Sequence, residues 1–124
     1  MPSQATVLSF MDAVEGGDFV AAIRRYYHAD ASIQENNEPP RVGRDLLVNH
    51  EQQFLDAMAS VAGRRLAAPL IEGDQVAIRW RFDMQTRDGK SMVLDEVAFQ
   101  TWRGEQIIEE KFFYDPRQVG RSST

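Results

Sequence analysis

The sequence predicts an α+β fold, with helices first and a strand meander after them, the helices packed on one face of an antiparallel sheet. Three observations predict it. Apolar residues recur at three- and four-residue spacing as far as Val61, the spacing changes to two from Arg64 onward, and glycine-bearing turns separate the later apolar runs.

The first helix is expected where Val7, Phe10, Met11 and Val14 share a face, with Ser3 able to cap its start and Gly16-Gly17 ending it. Asp18 then caps a second helix, whose stripe is Phe19, Ala22, Ile23 and Tyr26 or Tyr27; it is too short to hold unless packed. Residues 31–35 alternate as a short strand, and Asn36-Asn37-Glu38-Pro39-Pro40 stops it. A third helix is expected from about 44 to 61, because Leu47, His50, Phe54, Ala57, Met58 and Val61 repeat at helical spacing, with Gly63 closing it.

Three or four long strands follow, at about 65–72, 75–87, 91–103 and 106–114. Glu72-Gly73-Asp74, Arg87-Asp88-Gly89 and Arg103-Gly104-Glu105 supply the hairpin turns between them. The tail from Arg117 reads as frayed, so a single domain is placed at 1–118 with 119–124 as a flexible C-terminal tail.

The strand at 75–87 sets Val76, Ile78, Trp80, Phe82 and Met84 on one face, against Arg79, Arg81 and Asp83 on the other. The apolar face must be buried. On the next strand Val93, Asp95, Val97, Phe99 and Thr101 oppose Met92, Leu94, Glu96, Ala98, Gln100 and Trp102, so both sides are partly apolar. Two buried faces suggest a sheet that covers helices with one side and meets a second subunit with the other. Met92, Leu94, Ala98 and Trp102 are the expected contacts of a homodimer through the outer sheet face.

Composition narrows the function. The chain of 124 residues suits one core, and 43% hydrophobic with 27% charged residues is ordinary for a globular protein. A net charge of −5, with 14 scattered Lys and Arg, argues against nucleic acid or an anionic membrane as partner. No cysteine is present, which excludes disulfides and thiolate metal sites, and His28 and His50 are not spaced as a ligand pair; neither a metal nor another cofactor is expected. The first residues show no basic segment leading into an apolar one, and no apolar run is long enough to span a membrane, so a cytoplasmic protein is expected. No Ser-His-Asp arrangement, phosphate-cradling loop or dinucleotide fingerprint appears.

Four segments carry a resemblance: Gly17-Asp18 opening the second helix, YYHADASIQE leading into the first strand, VGRD before the third helix, and the closing GEQIIEEKFFYD. In this order they resemble the SnoaL-like branch of the nuclear transport factor 2-like superfamily, over residues 3–118. The resemblance implies a cone, in which a curved antiparallel sheet wraps around three helices, encloses an apolar cavity and forms a homodimer across its outer face. Similar enzymes include ketosteroid isomerases, polyketide cyclases, dehydratases and epoxide hydrolases, so the fold alone does not fix an activity.

By that resemblance Glu35 falls where ketosteroid isomerases carry the aspartate that moves a proton between carbons. Burial at a cavity mouth would raise its pKa and make it a better base; the alternative is an exposed strand end beside a polar loop. The donors that hold an enolate oxygen in such isomerases match Phe10 and Val97, neither of which can donate, so Asp95 or Tyr27 would have to substitute. His50, on the apolar side of its helix, is a candidate acid or base or else a satisfied core histidine. Asp95 pairs with His50 or works in the cavity if its strand face is inward; otherwise it faces out or pairs with an arginine. Asp115 lies where similar polyketide cyclases have an acid/base, though Asp-Pro also ends strands.

Phe10, Tyr27, Phe54 and Trp80 are expected to line the cavity, together with Phe82, Val97, Phe99, Phe112 and Tyr114. The expected ligand is a small hydrophobic molecule with a carbonyl group. The expected activity is isomerisation or cyclisation by acid/base proton transfer, and the alternative is a non-catalytic ligand-binding or dimeric interaction module.

Overall fold

The computed structural model describes residues 1–119. Helix α1 spans Gln4–Glu15, with the Ser3 hydroxyl accepting from the Thr6 amide at 3.0 Å and Val7, Phe10, Met11 and Val14 buried. Helix α2, Phe19–Tyr26, buries Ala22, Ile23 and Tyr26; Asp18 precedes it without the expected side-chain cap. Strand β1, Tyr27–Glu35, follows without a loop and starts four residues earlier than expected. A two-residue strand β2, Arg41–Val42, leads through Gly43, at φ 104°, into helix α3, Arg44–Ala57. Only glycine takes that φ without strain.

The third helix ends before 61. Strand β3, Met58–Arg65, takes over, because Met58 and Val61 fit either period and their pairing with Thr86 and Met84 decides for strand. Gly63, expected as a helix stop, sits in mid-strand under the Phe82 ring, where a Cβ would lie 2.6 Å from a ring carbon. The strand expected at 65–72 is broken over 66–69, and only β4, Leu70–Glu72, resumes. Strands β5, Gln75–Thr86, β6, Ser91–Arg103, and β7, Gln106–Phe113, follow through the three glycine turns. A 3-10 turn, Pro116–Val119, closes the described chain. Its Gln118 side chain grips the Asp95 backbone on both sides, accepting from its amide at 2.9 Å and donating to its carbonyl at 3.1 Å. The rest of the expected tail, 120–124, lies outside the described residues.

The sheet runs β2-β1-β7-β6-β5-β3, with β4 also on β5. It is mixed rather than antiparallel, since β1 pairs parallel with β7. No hairpin joins these two strands, so no turn dictates their relative direction. Strands β1 and β3 stand four positions apart, about 19 Å in a flat sheet, yet α3 touches both. The sheet must therefore curl around the helix.

The hairpin register fixes the inner face of β6. Trp80 stands opposite Glu96, Ile78 opposite Ala98 and Phe82 opposite Leu94, and cross-strand partners share a face. Leu94, Glu96, Ala98, Gln100 and Trp102 therefore point inward with Trp80, while Val93, Asp95, Val97 and Phe99 point out. This corrects two expectations. Ala98 and Trp102 are core residues and Met92 and Leu94 are half-buried, so none of the four forms an outer interface; Val97 and Phe99, with Phe99 40% exposed, do not line a cavity.

Candidate functional site

A cavity of about 360 Å³ lies between the helices and the inner sheet face. Phe10 from α1, Phe54 from α3, and Trp80 and Phe82 from β5 contribute its apolar wall, with Phe19 and Phe112. Its polar lining is mostly acidic: Glu35, Glu51, Glu96 and Glu110 against Arg41 and His50.

Glu35 ends β1 at the point where the Asn36 turn begins, and two donors hold it. The Arg41 Nη2 donates to one oxygen at 2.9 Å and the Tyr114 hydroxyl to the other at 2.7 Å. Burial alone would raise its pKa, but these two hydrogen bonds and the Arg41 charge prevail and hold it below the usual carboxylate value. That reverses the expected shift. Arg41 keeps a buried Nε with no partner among the described residues. His50 stands at the rim, largely exposed, with its pKa lowered by partial burial and by Arg41, against the pull of Glu35.

Deeper in, burial dominates. Glu96 is 6% exposed, and its carboxyl has no hydrogen-bond or ion-pair partner among the described residues. Burial first, then the charges of Glu110, Glu35 and Glu51, push its pKa up to about 8. At neutral pH it is a carboxylic acid with a proton to donate. Glu110 accepts from the Tyr27 hydroxyl and from the Gln100 amide at 2.6 Å, and Gln100 in turn accepts from the Trp102 indole at 3.0 Å. Burial raises Glu110 to about 7 in spite of those two donors, and burial with the nearby Glu110 charge drives Tyr27 well above its usual range. Glu51, on α3, is raised by burial and by Glu35.

The sequence pointed to some of these groups and not others. Glu35 and His50 face the cavity, as do Phe10, Tyr27, Phe54, Trp80, Phe82, Phe112 and Tyr114. Asp95 does not: it points outward and pairs with Arg79 at 2.7 Å, away from His50. Asp115 is a surface group paired with Arg117 at 2.9 Å, consistent with a strand terminator. Glu51, Glu96, Glu110 and Arg41 were missed. The signal for Glu96 was present, since the turn at Arg87-Asp88-Gly89 sets the β5–β6 register and so places Glu96 beside Trp80. For Glu110 no alternation could have shown it, because an extra residue at Ile108, between the pairs Trp102–Ile107 and Thr101–Glu109, flips the phase of β7.

Three helices and a curved, unclosed sheet define an α+β cone of the nuclear transport factor 2-like class. Within that class the chain belongs to the SnoaL-like domain family, which matches residues 7–110. A candidate SnoaL-like polyketide cyclase from Mesorhizobium loti is 25% identical, with 92% of this chain and 100% of that one covered at TM-score 0.78. A protein of ketosteroid isomerase-like fold from Catenulispora acidiphila, in complex with trimethylamine, is 16% identical over 92% and 88% of the two chains, TM-score 0.78. A nuclear transport factor 2-like protein of unknown function from Burkholderia pseudomallei is 12% identical over 96% of each chain, TM-score 0.82. No curated protein matches significantly.

Proposed function

We propose that this single domain, over residues 1–118, binds a small, largely apolar carbonyl compound in its cavity and moves a proton on it. The observation that carries this reading is Glu96, a buried and unpartnered acid that keeps its proton at neutral pH within an aromatic wall. In the proposed step the Glu96 O–H donates a hydrogen bond to the carbonyl oxygen while the ionised Glu35 takes a proton from the adjacent carbon. The C–H electron pair becomes the new C=C bond, and the carbonyl π pair moves onto the oxygen to give an enolate held by Glu96. Return of the proton from Glu35 to another carbon would complete an isomerisation; attack by the enolate carbon on a second carbonyl would complete a cyclisation.

Glu35 limits the substrate. Arg41 and Tyr114 make it a weak base, so the C–H must already be acidic, as it is between two carbonyl groups. Deuterium exchange at the central carbon of a 1,3-diketone, followed by proton NMR, tests this directly. The wild type should accelerate exchange, Glu35→Gln should abolish the acceleration and Glu96→Gln should weaken it at least tenfold. Binding without acceleration would leave the second reading, a ligand-binding module, which the Glu35–Arg41 ion pair favours.

The outer sheet face remains the candidate partner surface, but the residues on it are not the four expected from the sequence. Val93, Val97, Phe99 and Phe113 are exposed on the outer face, with Val97 beside Phe113 across β6 and β7. A homodimer through this patch would cover them.

A further inference from the structure

The carboxyl groups in the cavity outnumber the cations that could balance them. Of the four glutamates, Glu35 alone has a cationic partner among the described residues, Arg41 at 2.9 Å. Glu110 is satisfied by Tyr27 and Gln100. Glu51 and Glu96 have no hydrogen-bond or ion-pair partner among the described residues, although Glu96 is more than nine-tenths buried and opens into the cavity. Buried polar groups in native folds are satisfied as a rule, so an unpartnered one on a cavity wall is a contact site for what enters. The rings of Phe54, Trp80, Phe82 and Phe112 share that wall, and aromatic faces attract positive charge. The acids do not converge on a point: among the described residues no three are grouped to hold a metal ion. A spread of carboxyls among rings suits an organic cation.

We propose that the cavity takes a small apolar molecule carrying a protonated amine or quaternary ammonium nitrogen, with the nitrogen against Glu96 and Glu51 and the carbon body against the rings. This rests on the reading of the cavity as a ligand site. A cation seated there takes away the proton-donor role of Glu96, so such a molecule occupies the cavity in place of the carbonyl compound and blocks the proton transfer.

Binding then carries a proton signature. The titratable groups around Glu96 are Tyr27 and Glu35 on β1, Arg41 on β2, His50 and Glu51 on α3, Glu110 on β7 and Tyr114 beyond it. Burial first, and then the charges of Glu110, Glu35 and Glu51, keep Glu96 protonated when no cation is beside it. A cation beside it favours the carboxylate, so its proton leaves to solvent as the ligand enters.

Titration calorimetry with benzylamine, protonated at pH 7, and with benzyl alcohol, similar in shape and uncharged, separates the possibilities. Repeating each titration in phosphate and in Tris counts the protons released. Benzylamine should bind at least about tenfold tighter and release a proton. Glu96→Gln should lose the release and most of the preference while still binding the alcohol. Equal or tighter binding of the alcohol would overturn the cation proposal and leave the cavity a ligand site. A preference for the amine unchanged in both Glu96→Gln and Glu51→Gln would overturn it too, and binding of neither probe at millimolar concentration would overturn both readings.

Discussion

Replacing Glu96 by Gln should change how stability depends on pH, and the size of the change follows from its burial. In the fold Glu96 titrates near 8, against 4.5 for the free side chain. The folded value lies above the unfolded one, so the protonated group's stabilisation is complete below pH 4.5 and is lost as the pH rises to about 8. Between those limits the unfolded chain holds one proton fewer at this site, and stability falls by about 1.4 kcal/mol per pH unit. From pH 5 to pH 8 the loss comes to about 3 to 4 kcal/mol. Gln has no proton to lose and escapes it. Glu110 contributes its own slope up to about pH 7, but it does so in both chains. The quantity to read is therefore the difference between wild type and Glu96→Gln in urea unfolding at pH 5, 6, 7 and 8. With a urea slope of about 2 kcal/mol/M, the midpoint of the variant should move up by about 1.5 to 2 M relative to wild type across that range. A constant offset would be packing. Parallel midpoints at every pH would refute the argument, because they would mean that Glu96 ionises as freely in the fold as outside it.

Other substitutions test separate parts of the account. Tyr27→Phe removes one of the two donors to Glu110 and should cost about 1 to 3 kcal/mol in urea unfolding at neutral pH, with the loss growing as the pH rises. Arg41→Met removes the cation that holds Glu35 ionised, so the Glu35 carboxyl resonance should titrate at higher pH than in wild type, and an unmoved titration would sink the assignment. Gly63→Ala pushes the Phe82 ring toward the cavity; about 1 to 3 kcal/mol of stability and a weaker grip on any ligand should follow, measured by unfolding and calorimetry. Phe99→Asp should halve the mass seen by light scattering if the outer face joins two chains, whereas Trp102→Asp should unfold the protein by stranding a charge in the core.

The element order was legible because each helix and strand carries its own period, and the turns carry their glycines. What failed did so where the sequence is locally ambiguous. Met58 to Val61 satisfy a helix and a strand equally, and only the neighbouring strand β5 breaks the tie. Both faces of β6 are partly apolar, so composition could not say which is inside; the register set by the β5–β6 turn could, and it exchanges Asp95 for Glu96 as the inward acid. A shift of one position moves a candidate from a surface ion pair with Arg79 to the wall of the cavity. Glu110 was beyond reach, since the irregularity near Ile108 is a property of pairing rather than of local pattern. Glu35 was found, but its partners were not. The ion pair with Arg41 depends on a two-residue strand brought back after the turn at Asn36-Asn37, which no periodicity reveals.

The central claim is that Glu96 stands in the cavity as a proton donor at neutral pH. The most direct test is a carboxyl carbon-13 NMR titration of the whole protein, with the Glu96 resonance assigned by its absence from Glu96→Gln. The account predicts a midpoint near pH 8. A midpoint between about 4 and 5, the range of an exposed glutamate, would contradict it.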